Sequence, residues 1–443
     1  MYLIYGLQKS GISIIELFEK KRIEYKLWDD NSKVRNILGK KYSKNIFFNP
    51  KINDLNIFKK IFLSPGISLR KKQFKHLNKI NKLQRDLNLY TSYLTKEKII
   101  AITGTNGKST TTKLIGDILK KNKMKTFIGG NYGEPLCKSI TSNKKFDYHI
   151  IELSSFQLET IKNINTKISI ITNLSNDHLD RYYNITDYIK QKKNIISKNG
   201  VNLISIDDKY SKKIFQTTRN KKFISFSIYN KSANLYMGEN FILDNYFKKN
   251  KKIFISEISS DLEGSFNNQN ILIAYICVKL LKLPEKIFLD VIKKFKGLPY
   301  RASIIFNSNK LKIINNSKST NINSTINSIK NYKNIYLILG GRAKEKNFEI
   351  LSNFKEKIIC TYVFGQSASF IEKKINKFLN VKKFKNLKTL VMQIMKDIKK
   401  KDAKLTILFA PACSSYDQYN NYMERGSEFS KLIKKHIIDN EIS

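Results

Sequence analysis

The sequence predicts an α/β protein with mainly parallel sheets, divided into three domains. Three observations carry that expectation. Short apolar runs alternate with amphipathic stretches along nearly all of the 443 residues, the pattern of strands buried between helices. Polar residues capable of chemistry gather directly after those runs, where open parallel sheets place their ligands. The length also exceeds what one ordinary core holds, so roughly two to four domains are expected.

The first domain, residues 1–92, opens as strand, loop and helix. Tyr2-Leu-Ile-Tyr5 is a short apolar run, Gly6 to Gly11 reads as a turn, and Ile12 to Lys20 is amphipathic. A second strand near 23–28 ends at Asp29-Asp30, and a third, Ile61-Phe-Leu63, runs into Ser64-Pro-Gly66. A glycine turn followed by an acid about 20 residues later is a feature of dinucleotide-binding units, although this turn lacks the middle glycine. The segment is read as Rossmann-like, with plain αβ turns as the competing reading.

The second domain, residues 93–297, begins at Lys98-Ile-Ile-Ala-Ile-Thr103, a buried strand by its apolar run. It leads into Gly104-Thr105-Asn106-Gly107-Lys108-Ser109-Thr110, followed by a helical stretch to about Lys120. Strand, glycine loop, Lys-Ser/Thr and helix make a P-loop-type phosphate cradle. Backbone N–H groups and the helix N-terminus attract phosphate oxygens, Lys108 neutralises them, and Ser109 or Thr110 can hold Mg2+. The loop is a variant, with two residues between its glycines where the usual pattern has four. Further strands at 148–152 and 167–172 end in Glu152 and in the polar run containing His178, so these two residues are expected to converge on one cleft. The other histidines, His76, His149 and His436, read as surface or core. Residues 201–262 hold short strand-like runs with little helix and read as an antiparallel edge of the same sheet.

Gly297-Leu-Pro299 reads as a linker to the third domain, residues 298–443. Apolar runs at 311–315, 334–339, 359–364 and 405–410 again alternate with amphipathic stretches, predicting a second Rossmann-like unit. Polar clusters follow three of them: Asn315 to Asn321, Gly340 to Lys344, and Pro411 to Gln418. Three clusters at three strand ends predict one ligand edge.

Composition excludes several classes. With 41% apolar and 12% aromatic residues the chain builds cores, so whole-chain disorder is ruled out. No apolar run reaches the roughly 18 residues of a membrane span, and Glu16 and Glu19 interrupt any leader-like region, so neither membrane insertion nor a signal peptide is expected. Cys137, Cys277, Cys360 and Cys413 are scattered without CxxC pairs, as reduced cytoplasmic thiols would be. The 82 Lys+Arg against 36 Asp+Glu give a net charge of +46. Residues 1–90, 91–295 and 296–443 carry +13, +16 and +17 of it, and only 9 of the basic residues are arginine. A nucleic-acid binder concentrates its cations and favours the arginine fork. Dispersal of lysine alongside abundant Asn, Ile, Phe and Tyr favours compositional drift over dedicated nucleic-acid binding.

Thr103-Gly-Thr-Asn-Gly-Lys-Ser-Thr110 resembles the nucleotide loop of the Mur ligase and folylpolyglutamate synthase superfamily, ATP-dependent acid–amino acid ligases. Longer runs resemble one Mur ligase branch: Gly129-Gly-Asn131-Tyr-Gly133, Glu152 to Glu159, Asp177-His-Leu-Asp-Arg-Tyr182, Asn315 to Asn321, Leu339-Gly-Gly-Arg342 and Pro411 to Gly426. They follow the family's order from the first strand to near the C-terminus. The resemblance implies a UDP-sugar domain, a central ATPase and an amino-acid domain. It implies that ATP phosphorylates the carboxylate of UDP-N-acetylmuramoyl-L-alanine and that D-glutamate attacks the acyl phosphate, in a cytoplasmic, monomeric enzyme. Another ligase of the superfamily, adding a different amino acid or acting on folate, is the nearest alternative, and the Asp-Asn-Pro-Arg run of the diaminopimelate- or lysine-adding type is absent. A basic nucleic-acid-binding protein on a ligase fold is the reading from a different class.

Carried over by motif, the resemblance assigns Gly104, Thr105, Asn106, Gly107, Lys108, Ser109 and Thr110 to ATP. Ser109, Glu152 and His178 go to Mg2+, and Asn131 to the acyl-phosphate site. A carbamylated lysine in a Tyr-x-x-x-Lys setting matches Tyr188 and Lys192, with Lys193 the other register. Asn267 and Asn270 match the adenine side, and Arg301 an arginine that reaches the nucleotide phosphates. Thr320, Lys344, Ser415 and Tyr422, with Lys318 a weaker member, match the D-glutamate pocket. Lys9, Ser10, Asp29 and the Ser64–Gly66 turn match the UDP end. Four positions depart from the family: Asn316 and Ala343 replace aspartates, and Phe266 and Tyr300 stand where histidines are common. Asn316 is expected to weaken a nucleotide or ribose contact.

Overall fold

A computed structural model describes residues 1–43, 46–50, 54–94, 98–178, 181–218, 222–264, 267–398 and 404–438. The chain forms two compact units. One is Met1–Leu174 with Tyr183–Ser256 and Gln269–Val291; the other is Ser175–Tyr182 with Glu257–Asn268 and Ile292–Ser443. The architecture is α/β with mostly parallel sheets, as expected from the alternating pattern.

The first unit holds two sheets. Strands β1 (Tyr2–Tyr5), β2 (Tyr25–Trp28), β3 (Ile61–Leu63) and β4 (Leu83–Gln84) pair in parallel in the order β2-β1-β3-β4. Alternate side chains of β1 and β3 enter two cores, Leu3, Tyr5, Ile61 and Leu63 on one face and Ile4 and Phe62 on the other. That two-sided burial is why each strand reads as a continuous apolar run.

The second sheet has nine strands: β5 (Lys98–Thr103), β6 (Thr126–Gly130), β7 (Tyr148–Glu152), β8 (Ile168–Ile171), β9 (Val201–Ser205), β10 (Phe223–Ser227), β11 (Leu235–Met237), β12 (Phe241–Asp244) and β13 (Lys251–Phe254). Their order is β13-β12-β11-β10-β9-β8-β5-β7-β6, parallel except around β12. The chain leaves β5 toward β6 and β7 on one side and then crosses to β8 on the other. The carboxyl end of β5 is therefore the point where the winding reverses, the usual ligand position in such sheets.

The second unit is organised on a six-stranded sheet of β14 (Ser303–Asn307), β15 (Leu311–Asn315), β16 (Ile335–Gly340), β17 (Ile358–Phe364), β18 (Val381–Phe384) and β19 (Leu405–Ala412), ordered β14-β15-β19-β16-β17-β18. Only β14 runs antiparallel to its neighbour. Leu337, Leu339, Val363 and Leu408 face one core, and Tyr336, Ile338, Tyr362 and Ile407 the other.

Three local expectations need correction. The first helix spans Lys9–Lys21, so Lys9 to Gly11 belong to it and not to a turn. Its opening residues are exposed or half-buried polar groups and carry no apolar signal. Residues 201–262 contain the helix Lys209–Thr217, started by Asp208 accepting from the N–H groups of Tyr210 and Ser211. Since β10 also pairs in parallel with β9, the antiparallel edge is confined to β11–β13. Strand β14 was not expected either: its side chains are mostly half-exposed and give no alternating apolar pattern.

All four cysteines are buried and unpaired. Among the described residues no helix is long and apolar enough to cross a membrane.

Candidate active site

In the first unit, β5 delivers Thr103 to the loop Gly104–Gly107, and the helix Lys108–Lys121 follows at once. Gly104 has φ +144° and Gly107 φ +84°, conformations that side chains with a Cβ rarely adopt. A Cβ would lie 1.9 Å from Thr172 Oγ1 at the first and 2.5 Å from Asn270 Oδ1 at the second, so both glycines are required sterically. The loop backbone is fixed from outside: Thr105 N donates to Asn173 O (2.8 Å), Asn106 N to Asn173 Oδ1 (2.9 Å), and Thr172 Oγ1 to Asn106 O (2.6 Å). Gly107, the residue that caps the helix, gives its N-terminus no side-chain acceptor.

Lys108 Nζ donates to Gly104 O and Thr105 O, each at 2.8 Å, which fastens the amine to the rim of the loop. Lys192 is 1% exposed, and its amine donates to Gly104 O (2.7 Å) and contacts Thr103 Oγ1 at 3.3 Å. The Tyr188 hydroxyl lies 3.2 Å from Thr105 Oγ1. The Tyr-x-x-x-Lys pair thus grips the nucleotide loop with both members, one helical turn apart on Ile185–Lys193.

Ser109 donates to Glu152, which is fully buried, and Asn131 Nδ2 donates to the other carboxylate oxygen at 2.6 Å. Asn131 N also donates to Glu152 O (2.8 Å). Thr110 is half-buried in the first helical turn, and Asn270 Oδ1 accepts from Thr111 Oγ1 (3.0 Å).

At the carboxyl ends of the first sheet, Asp29 serves as a backbone acceptor, with Leu7 N at 2.7 Å and Asn31 N at 2.8 Å. Lys9 is exposed, Ser10 is half-buried, and Asp86 is buried. Burial raises the Asp86 carboxyl above its usual range, against the lowering effect of Ser10, Leu87 N–H, Arg85 and Gln157. Ser64 Oγ donates to Gly6 O (2.6 Å), joining the predicted turn to the first glycine.

In the second unit, Lys344 Nζ and Asp177 Oδ1 form an ion pair at 2.9 Å, both side chains nearly buried. His178 adjoins it at φ +53°, with Nε2 3.6 Å from Asp177 Oδ2. Glu345 accepts from Ile322 N (2.7 Å), and burial, with Asp177 adding to it, raises its carboxyl. Thr320 and Tyr422 are half-buried and Ser415 is buried. Lys318 Nζ sits 4.1 Å from the centroid of the Tyr422 ring. Asn267 is buried here, its amide 3.4 Å from Asp261 O, and Arg301 is half-buried in the turn before β14. Asn316 donates to Ser328 Oγ at 2.7 Å, so the amide that replaces the family's aspartate is used internally. Ala343 N donates to Ser367 Oγ (3.0 Å), and the Tyr300 ring lies against Gly426. Phe266, Leu179 and Asp180 lie outside the described residues.

The donor set can be tested against the ligands that the resemblance implies. A closed glycine loop, a helix N-terminus without a side-chain cap and a lysine at the rim fit a polyphosphate. A hydroxyl beside a buried carboxylate fits Mg2+, which takes one or two protein oxygens and completes its shell with water and phosphate. Such a site needs no dense ligand cluster, and the described residues contain no group of three His, Cys, Asp or Glu placed for one.

Residues 102–278 match the Mur ligase middle domain family. Over 98% of this chain and 97% of the relative, the sequence is 39% identical to the UDP-N-acetylmuramoylalanine–D-glutamate ligase of Buchnera aphidicola subsp. Schizaphis graminum (strain Sg). Identity to the ligase of the same name from Rickettsia prowazekii (strain Madrid E) is 34% over the same shares. This chain belongs to the Mur ligase family. Its fold is similar to that of UDP-N-acetylmuramate-alanine ligase MurC from Thermotoga maritima, with a TM-score of 0.61 at 16% identity, covering 98% of this chain and 99% of that one.

Several residues that organise this Mur ligase have no individual role assigned by the motifs above. Arg85 is fully buried and donates to Leu63 O (3.1 Å), Ser64 O (2.6 Å), Ile67 O (2.9 Å) and Glu159 Oε2 (2.5 Å). Asp30 collects Tyr5 OH (2.5 Å), Lys71 Nζ (2.8 Å) and Trp28 Nε1 (3.1 Å). Asp177 and Arg425 complete the set. The scarcity of arginine was the available clue, because a lysine-rich chain that keeps an arginine uses its fork.

Proposed function

We propose that this Mur ligase joins D-glutamate to UDP-N-acetylmuramoyl-L-alanine at the expense of ATP, releasing ADP and phosphate, in peptidoglycan biosynthesis. The observation that carries the proposal is the near full-length similarity to ligases of that name, 39% identical in the Buchnera case. The γ-phosphoryl group of ATP passes to a carboxylate oxygen of the UDP-sugar substrate. The D-glutamate amine, having lost a proton, attacks the acyl carbon, and phosphate leaves. Both reacting groups belong to substrates, so the protein needs charge clamps and alignment more than a nucleophile.

In this reading Gly104–Thr110 close around the phosphates and Lys108 turns its amine from the loop rim to them. Asn267 and Asn270 serve the adenine side, and Arg301 reaches the phosphates. Asn131 lines the acyl-phosphate site, while Lys9, Ser10 and Asp29 take the UDP end. Thr320, Lys344, Ser415 and Tyr422 hold D-glutamate. Ser109, Glu152 and His178, with Lys192 if carbamylated, would hold Mg2+. When bound, Mg2+ would supply positive charge that offsets the negative charge of the reacting phosphate. The domains are taken as 1–92, 93–297 and 298–443, in a monomeric cytoplasmic enzyme without a nucleic-acid partner.

The test is phosphate release from the protein with ATP, Mg2+, UDP-N-acetylmuramoyl-L-alanine and each candidate amino acid. Release with D-glutamate, lost in Lys108→Ala, is expected. Release with L-glutamate but not D-glutamate, or a Lys108→Ala variant with unchanged turnover, overturns the reading.

A further inference from the structure

Arg425, in the first turn of the helix Tyr422–Ile438, is fully buried, and among the described residues no carboxylate is a hydrogen-bond partner of it. Its Nε donates to Ser317 Oγ (3.1 Å) and Nη2 to Ser317 O (2.8 Å), while Nη1 donates to Gly340 O (3.2 Å) and Cys413 O (3.1 Å). These acceptors are not neighbours in sequence. Ser317 follows β15, Gly340 closes β16, and Cys413 follows β19. The three segments lead directly to Thr320, Lys344 and Ser415, and Tyr422 lies one turn before Arg425 on its own helix. The hub is reinforced: Ser317 Oγ donates to Tyr422 O (2.8 Å), and Asn315 Nδ2 donates to Gly426 O (2.8 Å) and Ser430 Oγ (2.9 Å).

A planar guanidinium spreads five N–H donors over three nitrogens and can reach three divergent strand ends at once, whereas an ammonium carries its three donors on one nitrogen at the end of a flexible stem. Burying a cation on neutral carbonyls costs free energy that an apolar residue of the same volume would not. Burial lowers the pKa of this guanidinium to about 10, so it remains charged at neutral pH. A merely space-filling side chain would not need that charge; one that fixes the mutual spacing of three loops does.

From this geometry we infer that Arg425 is a positioning residue for the amino-acid substrate: it sets the distances between the segments bearing Thr320, Lys344, Ser415 and Tyr422 and so determines affinity for the dicarboxylate. The inference rests on the proposed D-glutamate reading of those four residues.

The experiment is full steady-state kinetics of Arg425→Lys, with the KM for each of the three substrates and the melting temperature. The KM for D-glutamate is expected to rise about tenfold, the effect of loosening one charge-assisted contact. The KM values for ATP and the UDP-sugar should stay within about twofold. An unchanged D-glutamate KM, or a parallel rise in all three, overturns the inference. Should Arg425→Lys fail to fold, Ser317→Ala removes the hydroxyl joint alone. It is expected to raise only the D-glutamate KM, by about threefold, and no change there overturns the inference equally. Wild-type enzyme that turns over a different amino acid refutes the D-glutamate reading by itself. The same KM comparison, made with that amino acid, then decides the role of Arg425.

Discussion

Gly107→Ala probes whether the nucleotide loop must have the shape seen here. Alanine at φ +84° meets the Cβ–carbonyl clash of the left-handed region, worth about 1–2 kcal/mol. Its methyl group would also lie 2.5 Å from Asn270 Oδ1. Asn270 is buried and accepts from Thr111 Oγ1, so moving it aside loses a hydrogen bond worth about 1 kcal/mol. The total is about 2–3 kcal/mol, and it can be expressed in two ways. If the loop keeps its form, the melting temperature falls and ATP affinity is retained. If the loop relaxes, its N–H groups leave their positions, and ATP binding weakens by roughly 30- to 100-fold at about 1.4 kcal/mol per factor of ten. Calorimetric ATP titration and thermal unfolding of the same preparation measure both parts. Thr111→Val is the control, since it loses the hydrogen bond without adding the methyl group. A Gly107→Ala enzyme with wild-type melting and an ATP Kd within about twofold of wild type would refute the steric argument.

Two further outcomes follow from buried and partly buried charge. Arg85→Met removes the guanidinium donors from the Glu159 carboxylate and three loop carbonyls, and a loss of about 3–5 kcal/mol in urea unfolding is expected; adding Glu159→Leu should restore part of it, and a single variant as stable as wild type contradicts the reasoning. Asp397 accepts from Tyr362 (2.6 Å), Lys382 (2.7 Å) and Gln393 (2.9 Å). Burial raises its carboxyl, but these donors outweigh burial and leave it below the ordinary 3.8. A lowered folded pKa means that the stabilisation is present above the unfolded value and lost as pH falls through the folded one. The urea-midpoint gap between wild type and Asp397→Asn should therefore shrink below about pH 4, and a constant gap down to about pH 2 would exclude this account.

The fold was legible where strands are buried on both faces. Ile335–Gly340 is apolar throughout because its alternate residues enter different cores, and no polar face interrupts the run. The helix Lys209–Thr217 and strand β14 were missed for the opposite reason. The first buries little beyond Ser211 and Ile214, and the second is largely half-exposed, so neither imposes a period on its sequence. The candidate site divides in the same way. Glycines, hydroxyls and the Lys108 amine sit in one contiguous loop, where local geometry restricts residue type. The Lys344–Asp177 pair joins residues 167 positions apart, and nothing in either neighbourhood announces the other. Lys108 was expected at phosphates, and its contacts with the loop carbonyls depend on a backbone path that composition does not encode.

Burial sorts the excess charge in a way that counting does not. A cation taken from water costs several kcal/mol unless oxygens replace its hydration. Drift toward lysine therefore accumulates at the surface, and most of the +46 is free to lie there. Among the described residues only Arg85, Lys192 and Arg425 are buried cations, each fully or within 1% exposure. Each has paid-in oxygen partners, and each lies against a different proposed ligand segment. Arg85 holds the Ser64–Gly66 turn, Lys192 the Gly104 carbonyl, and Arg425 the three strand ends of the amino-acid pocket. Two of the three are arginines in a chain where arginine supplies only 9 of 82 basic residues. Chance placement would favour lysine heavily. The two buried arginines instead stand where three or more oxygens diverge, a spread that the five donors of a planar guanidinium match better than three donors on one ammonium nitrogen.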